Sequence, residues 1–179
     1  MLNRDNAALI VIDYQEKLLH KIHNGGEITE KAIKLIRFAR ELDIPILWTE
    51  QYPKGLGHTV EPIAAELAGS SAIEKTAFGC LGSPAFSEAL KATGKKQLLL
   101  TGIETHICVM QTGLAALQQG YEVFVPRDAV GSLSESEYDA GLDRLARAGA
   151  ELVTTQMALF ELLQEAGTPE FKRAQAYLK

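Results

Sequence analysis

Six short apolar runs, separated by longer stretches, most of them of helical period, constrain this chain more than any other feature. The first, "AALIVID" (7–13), has no polar alternation, as expected of a strand covered on both faces. Further strands are predicted at "IPILWT" (44–49), "SAIEK" (71–75), "QLLLT" (97–101), "YEVFVP" (121–126) and "AELVTT" (150–155). Pro45 is tolerable near the beginning of its strand. Between the runs the spacing changes. Ile28, Ala32, Ile33, Leu35, Ile36 and Ala39 recur at helical intervals, and "EPIAAEL" and "SESEYDAGLDRLARAG" also predict helices. "SPAFSEALKAT" carries a Ser cap, Pro at the first helical position and a Gly94 stop. Thr105 to Gln119 predicts a helix stopped by Gly120, and "QYPKGLGH" a loop. Strand–helix alternation of this kind builds a mostly parallel sheet with helices on both faces, an α/β fold. No repeat, low-complexity tract or linker interrupts it, so residues 1–179 are read as one domain.

The bulk properties exclude several partners. The 18 Lys and Arg residues are outnumbered by 23 Asp and Glu, for a net charge of −5, with no local basic cluster, so nucleic acid is not expected. The amino-terminal apolar run is too short for a membrane span and lacks a small-residue cleavage site. The two cysteines, Cys80 and Cys108, match no disulfide framework or paired metal-ligand spacing. A reducing, cytoplasmic setting follows as the expectation.

In folds of this class ligands bind at the carboxyl ends of the strands, near the point where strand order reverses. That rule makes a shortlist. The first strand ends in Asp13, the second leads to Glu50, Gln51 and Tyr52, the third ends at Glu74 and Lys75, and the fourth is followed by Glu104, Thr105, His106 and Cys108. With Thr105 as the N-cap, Cys108 falls in the first helical turn, where free N–H groups and the helix dipole favour an anion. A nearby lysine lowers a thiol pKa further. Asp13 is a candidate base, Cys108 a candidate nucleophile and Lys75 a cation to balance them. Backbone N–H groups of the 102–108 turn are candidates for an oxyanion hole. Taken singly, each has a plain reading: a packed thiol, a capping carboxylate, a solvated lysine.

The combination resembles the isochorismatase-like cysteine hydrolase superfamily. The carriers are "LIVIDYQ" (9–15), "AIEKTAFGC" (72–80) and "LLLTGIETHICVMQTGLAALQQGYEVFVPRDAVGS" (98–132), with "WTEQYPKGLGHT" (48–59) pointing to the isochorismatase domain-containing branch. The resemblance implies a doubly wound three-layer αβα sandwich with a six-stranded sheet of order 3-2-1-4-5-6. It implies a catalytic triad of Asp13, Lys75 and Cys108. It also implies a cis peptide between Ile103 and Glu104 and an oxyanion hole from the backbone N–H groups of Glu104 and Cys108. In that order Lys75 starts two strand spacings from Asp13, roughly 10 Å, so the strand end must fold back or the lysine must reach inward. Metal-dependent nicotinamidase relatives carry an Asp-x-His in the loop after the second strand. Here the loop reads Glu50-Gln51-Tyr52-Pro53 and His58 has no second histidine beside it in the sequence, so neither a metal nor another cofactor is expected.

These readings lead to a cysteine hydrolase that cleaves an amide-type C–N bond of a small molecule through a covalent acyl-enzyme. Gln51, Tyr52 and Phe78 are candidate substrate-binding residues by loop position. The family's assemblies imply a homo-oligomer. Three alternatives stay open: a vinyl-ether hydrolase of the isochorismate type using Asp13 with Cys108 a bystander, a catalytically idle interaction protein, and a thiol redox sensor.

Overall fold

The structure is a computed structural model that describes residues 1–178. In chain order the elements are β1 (Ala7–Ile12), α1 (Glu16–Leu19), α2 (Gly25–Glu41), β2 (Ile46–Gln51), α3 (Pro53–Leu56), α4 (Glu61–Glu66), β3 (Ile73–Lys75), α5 (Pro84–Thr93) and β4 (Gln97–Ile103). After a π-helical turn at Thr105–Val109 come α6 (Met110–Gln118), β5 (Glu122–Pro126), β6 (Val130–Gly131), α7 (Glu135–Arg147), β7 (Glu151–Val153), α8 (Thr155–Leu163) and α9 (Pro169–Ala174). All ladders are parallel, in the order β3-β2-β1-β4-β5-β7. The six strands read from the sequence are β1–β5 and β7. A seventh, β6, pairs with the end of β4 through Gly102–Val130 and Ile103–Gly131. Its two residues are too few to leave a periodic trace. The expected loop after β2 likewise contains one helical turn, α3, opened by Pro53.

The continuous apolar runs are explained by two cores, one on each side of the sheet. Leu9 and Val11 of β1, Leu99 of β4 and Phe124 of β5 point to one side, against α2, α4, α8 and α9. Ala8, Ile10 and Ile12, with Leu98, Leu100, Val123 and Val125, point to the other, against α5, α6 and α7. A strand between two cores has no polar face, and each buried aliphatic side chain contributes about 1.5–3 kcal/mol.

β1 and β4 are unusually close where they end. Gly102 pairs with Ile12, has φ +147°, and a Cβ there would lie 2.3 Å from the Ile12 carbonyl oxygen. Only glycine fits both the backbone angle and the gap. Strand order reverses between these two strands, so their carboxyl ends flank the switch point.

Candidate active site

Asp13 follows the last residue of β1 in the left-handed region, φ 54°, a conformation aspartate tolerates better than most residues. Its N–H donates to the Thr49 carbonyl (3.2 Å), tying the turn to β2. The carboxylate is fully buried, and both oxygens are held. Thr49 Oγ1 donates to Oδ1 at 2.7 Å, and Lys75 Nζ donates to Oδ2 at 2.7 Å.

Lys75 ends β3, two strands away from β1, and reaches inward across the end of β2. Its ammonium also donates to Gln51 Oε1 (2.7 Å) and to the carbonyls of Phe78 (3.0 Å) and Ala77 (3.3 Å). Three protons thus serve four acceptors, one of them charged, which satisfies a fully buried ammonium. The 76–80 loop folds around this group. Gln51 is held in turn by its Nε2 donating to the Thr76 carbonyl (2.9 Å), and by Gln15, whose amide pairs with both the N–H and the C=O of residue 51.

Cys108 lies on the other side of the switch point. The Ile103–Glu104 peptide bond is cis. The expected α-helical start at Thr105 is replaced by a π turn in which Glu104 is the N-cap and its carbonyl accepts from Val109 N–H (3.2 Å). π turns are frequent at functional sites, and hydrophobic spacing does not distinguish one from an α-helical turn. Cys108 is 5 % exposed. Burial pushes its thiol pKa well above the ordinary range, and the Asp13 carboxylate, as a charge and as an acceptor for the thiol proton, pushes the same way. Lys75 opposes them and loses. This corrects the expectation of an easily formed thiolate: the helix start and the lysine are present, but desolvation and an adjacent anion outweigh them. Burial and the neighbouring Asp13 thus both favour the protonated form of the sulfur.

Two further groups sit behind this cluster. Cys80 is fully buried, its Sγ 3.9 Å from Thr49 Oγ1, and its pKa is pushed up to about 11 by burial and then by Asp13. Thr112 Oγ1 accepts from Cys80 N–H (2.9 Å) and donates to the Cys108 carbonyl (2.6 Å), bracing the π turn. Sequence reasoning missed Thr49 and Thr112. Neither residue carried a sequence signal, since a threonine in a strand or helix is ordinary and β2 is only half-buried along Ile46–Trp48.

The remaining candidates spread out. Gln51 is buried in the lysine's contacts, whereas Tyr52 and Phe78 expose about half of their surface. Tyr52 helps line a cavity of about 430 Å³ beside Lys75, with Pro53, Glu74, Thr76, Ala77 and Pro84 among its other walls. A larger cavity of about 670 Å³, walled by Arg37, Arg40 and Arg173, lies at the end of α2 that leads into the start of β2. That is the sheet edge opposite the strand carboxyl ends. Glu104 accepts from Leu133 N–H (3.1 Å), and His106 bridges Ser132 (3.0 Å) and Glu137 (3.6 Å). Glu50 points away from Thr49 and Gln51 and binds His58 Nδ1 (3.0 Å) and Thr59 N–H (2.7 Å).

The molecule is thus a doubly wound α/β domain with a carboxylate, an ammonium and a thiol collected at its switch point. The chain belongs to the isochorismatase family, matching the Isochorismatase domain over residues 7–157. It is 36 % identical over 175 residues to isochorismatase domain-containing protein 2 of Rattus norvegicus, covering 98 % of this chain and 82 % of that one. Among solved structures it resembles the MAR1 ribonuclease of Caenorhabditis elegans, with TM-score 0.93 and 38 % identity over 99 % of this chain and 91 % of the other. It also resembles the YcaC gene product of Escherichia coli, described as an octameric hydrolase of unknown specificity, with TM-score 0.89 and 28 % identity over 99 % and 86 % of the two chains. Among the described residues, no helix is long and apolar enough to cross a membrane.

Proposed function

We propose that this protein is a hydrolase of a small amide-type C–N bond, with Cys108 as nucleophile, Asp13 as general base and acid, and Lys75 as the fixed cation that holds Asp13. One observation carries the reading: Lys75 Nζ lies 2.7 Å from Asp13 Oδ2, both side chains fully buried, at the end of β1, which pairs with β4, the strand that leads into the Cys108 turn. A thiol that rests protonated beside a buried carboxylate needs that carboxylate to take its proton as attack begins. In acylation Asp13 removes the Cys108 proton, sulfur bonds to the carbonyl carbon, and the C–N electrons leave with the amine, which takes the proton from Asp13. In deacylation Asp13 removes a proton from water, hydroxide attacks the thioester, and the thiolate leaves and recovers the proton. The carbonyl oxygen in both steps is assigned to the backbone N–H groups of Glu104 and Cys108, as the family resemblance implies.

The cavity of about 430 Å³ beside Lys75, with Tyr52 as a wall, has neither Asp13 nor Cys108 in its lining, so it is assigned to the non-reacting part of a small substrate whose carbonyl would reach past Lys75 to Cys108. Exposed Phe78, anchored by its carbonyl on the Lys75 ammonium, is assigned a second contact with it. A net charge of −5 disfavours a polyanionic substrate such as RNA, despite the name of the nematode relative. The setting is assigned as cytoplasmic, and a homo-oligomer agrees with the octameric relative and with half-exposed Met157 and Phe160 one turn apart on α8.

The raised thiol pKa also favours a second reading, in which Asp13 protonates a vinyl ether and Cys108 is a bystander. One experiment separates them: a panel of primary amides, imides and carbamates, with mass spectrometry of the quenched enzyme. An acyl adduct on the Cys108 peptide and loss of turnover in Cys108→Ala are expected. Full turnover in Cys108→Ala would refute the cysteine mechanism.

A further inference from the structure

Strand β2 supplies none of the three reacting groups, yet its end touches two of them. We propose that Thr49 is the positioning residue of this centre: its hydroxyl fixes how the Asp13 carboxylate is presented to Cys108 and how strongly that carboxylate draws on the thiol proton. This rests on the Asp13–Lys75–Cys108 reading above.

The geometry is directional. Thr49 is 1 % exposed and has one hydroxyl proton, which goes to Asp13 Oδ1 at 2.7 Å. With Lys75 on Oδ2 at 2.7 Å, both oxygens are occupied and the carboxylate plane cannot turn. The Thr49 carbonyl accepts from Asp13 N–H (3.2 Å), so one residue holds both the backbone and the side chain of the base. Having donated its proton, the hydroxyl oxygen can only accept from Cys80 Sγ at 3.9 Å, a thiol that burial keeps protonated. The hydrogen bonds therefore run one way, from Cys80 through Thr49 to Asp13. A donor aimed at a carboxylate stabilises its charged form. Thr49 thus weakens the pull of the Asp13 carboxylate on the Cys108 proton. The titratable groups acting on the Asp13–Cys108 pair are Lys75 and Cys80. Asp13 alone accepts the Thr49 proton.

The test needs no substrate. Alkylation of the full chain by iodoacetamide, read on the Cys108 peptide by mass spectrometry across a pH series, measures the sulfur anion. Thr49→Val keeps the side-chain volume and removes the donor. The proton moves toward Asp13, and alkylation near neutral pH rises about tenfold, the expected effect of one hydrogen bond to a charged group. Thr49→Ser keeps the hydroxyl and stays near the wild-type rate. Simple loosening predicts the opposite order, because serine leaves the larger gap. If Thr49→Val does not fold, Thr49→Ser and Thr49→Ala make the comparison, since they differ by the one hydroxyl. In an Asp13→Asn background, removing the hydroxyl changes nothing further. An unchanged rate in Thr49→Val, or a Thr49→Ser rate equal to it, overturns the role of Thr49. If Asp13→Asn itself leaves the Cys108 profile unchanged, the carboxylate–thiol pairing fails, and with it the reading beneath.

Discussion

The Lys75 ammonium lies 2.7 Å from Asp13 Oδ2 although β2 stands between the strands that carry them. Two strand spacings are about 10 Å, so the lysine stem crosses the end of β2, where Gln51 gives the ammonium an acceptor at 2.7 Å. Neither side chain is exposed to solvent. Desolvating two charges offsets most of their attraction, so such a pair adds little net stability but is costly to break from one side.

Lys75→Met therefore leaves the Asp13 carboxylate buried without its counter-charge. The expected loss of folding stability is about 3–5 kcal/mol, measured by chemical denaturation. Adding Asp13→Asn removes the orphaned charge, and the double variant recovers part of the loss. A double variant no more stable than Lys75→Met alone contradicts a paired ion and points to packing of the lysine stem.

Gly102→Ala puts a Cβ 2.3 Å from the Ile12 carbonyl at a backbone angle alanine avoids. The close approach and the strained φ together cost about 3 kcal/mol or more. β1 and β4 must separate to relieve the clash, and Asp13 and Cys108 follow those strand ends. Thermal unfolding should show the loss, accompanied by a changed alkylation rate at Cys108. An unaltered melting temperature would remove the constraint.

The Glu50–His58 pair gives a pH signature away from the thiol. For Glu50, burial raises the carboxyl pKa, but the Thr59 N–H and His58 outweigh it and the net direction is down. For His58, the hydrogen bond and charge of Glu50 raise the imidazole above its ordinary 6.5, with smaller help from Glu74 and Glu16. The histidine contribution is complete below its unfolded value and fades as pH rises through the folded one. The glutamate contribution is complete above its unfolded value and fades as pH falls through the folded one. Both operate in the window between. NMR titration of His58 should give a midpoint that drops toward the ordinary value in Glu50→Gln. An unmoved midpoint would mean the pair does not form in solution.

Legibility in the sequence followed the length over which a pattern repeats. β1 was readable because six consecutive buried residues face two cores. Asp13, Lys75 and Cys108 could be shortlisted because each lies at or just after the carboxyl end of a strand, the sheet edge where ligands bind in such folds. β6 has two residues and the turn at Thr105–Val109 only five, so periodicity could not show the extra strand or tell π from α. The direction of the Cys108 pKa shift differs from the sequence expectation for a different reason. Helix position and a lysine neighbour are visible along the chain, whereas burial depth and the distance to a carboxylate are properties of the assembled fold. Thr49 and Thr112 were passed over because a threonine in a strand or helix is ordinary until its partner across space is known.

Thr112→Val tests the brace behind the nucleophile. Thr112 Oγ1 receives the Cys80 N–H at 2.9 Å and donates to the Cys108 carbonyl at 2.6 Å, so one hydroxyl joins the 76–80 loop to the π turn. Valine keeps the volume but leaves the buried Cys80 N–H without a partner, a loss of about 1–3 kcal/mol. Because the change is local, hydrogen exchange reads it better than a melting curve. The Cys80 amide should lose protection while the amides of β1 and β4 keep theirs. Equal loss across the sheet would mean a global destabilisation, and undiminished protection at Cys80 would mean that the loop is held by Lys75 alone.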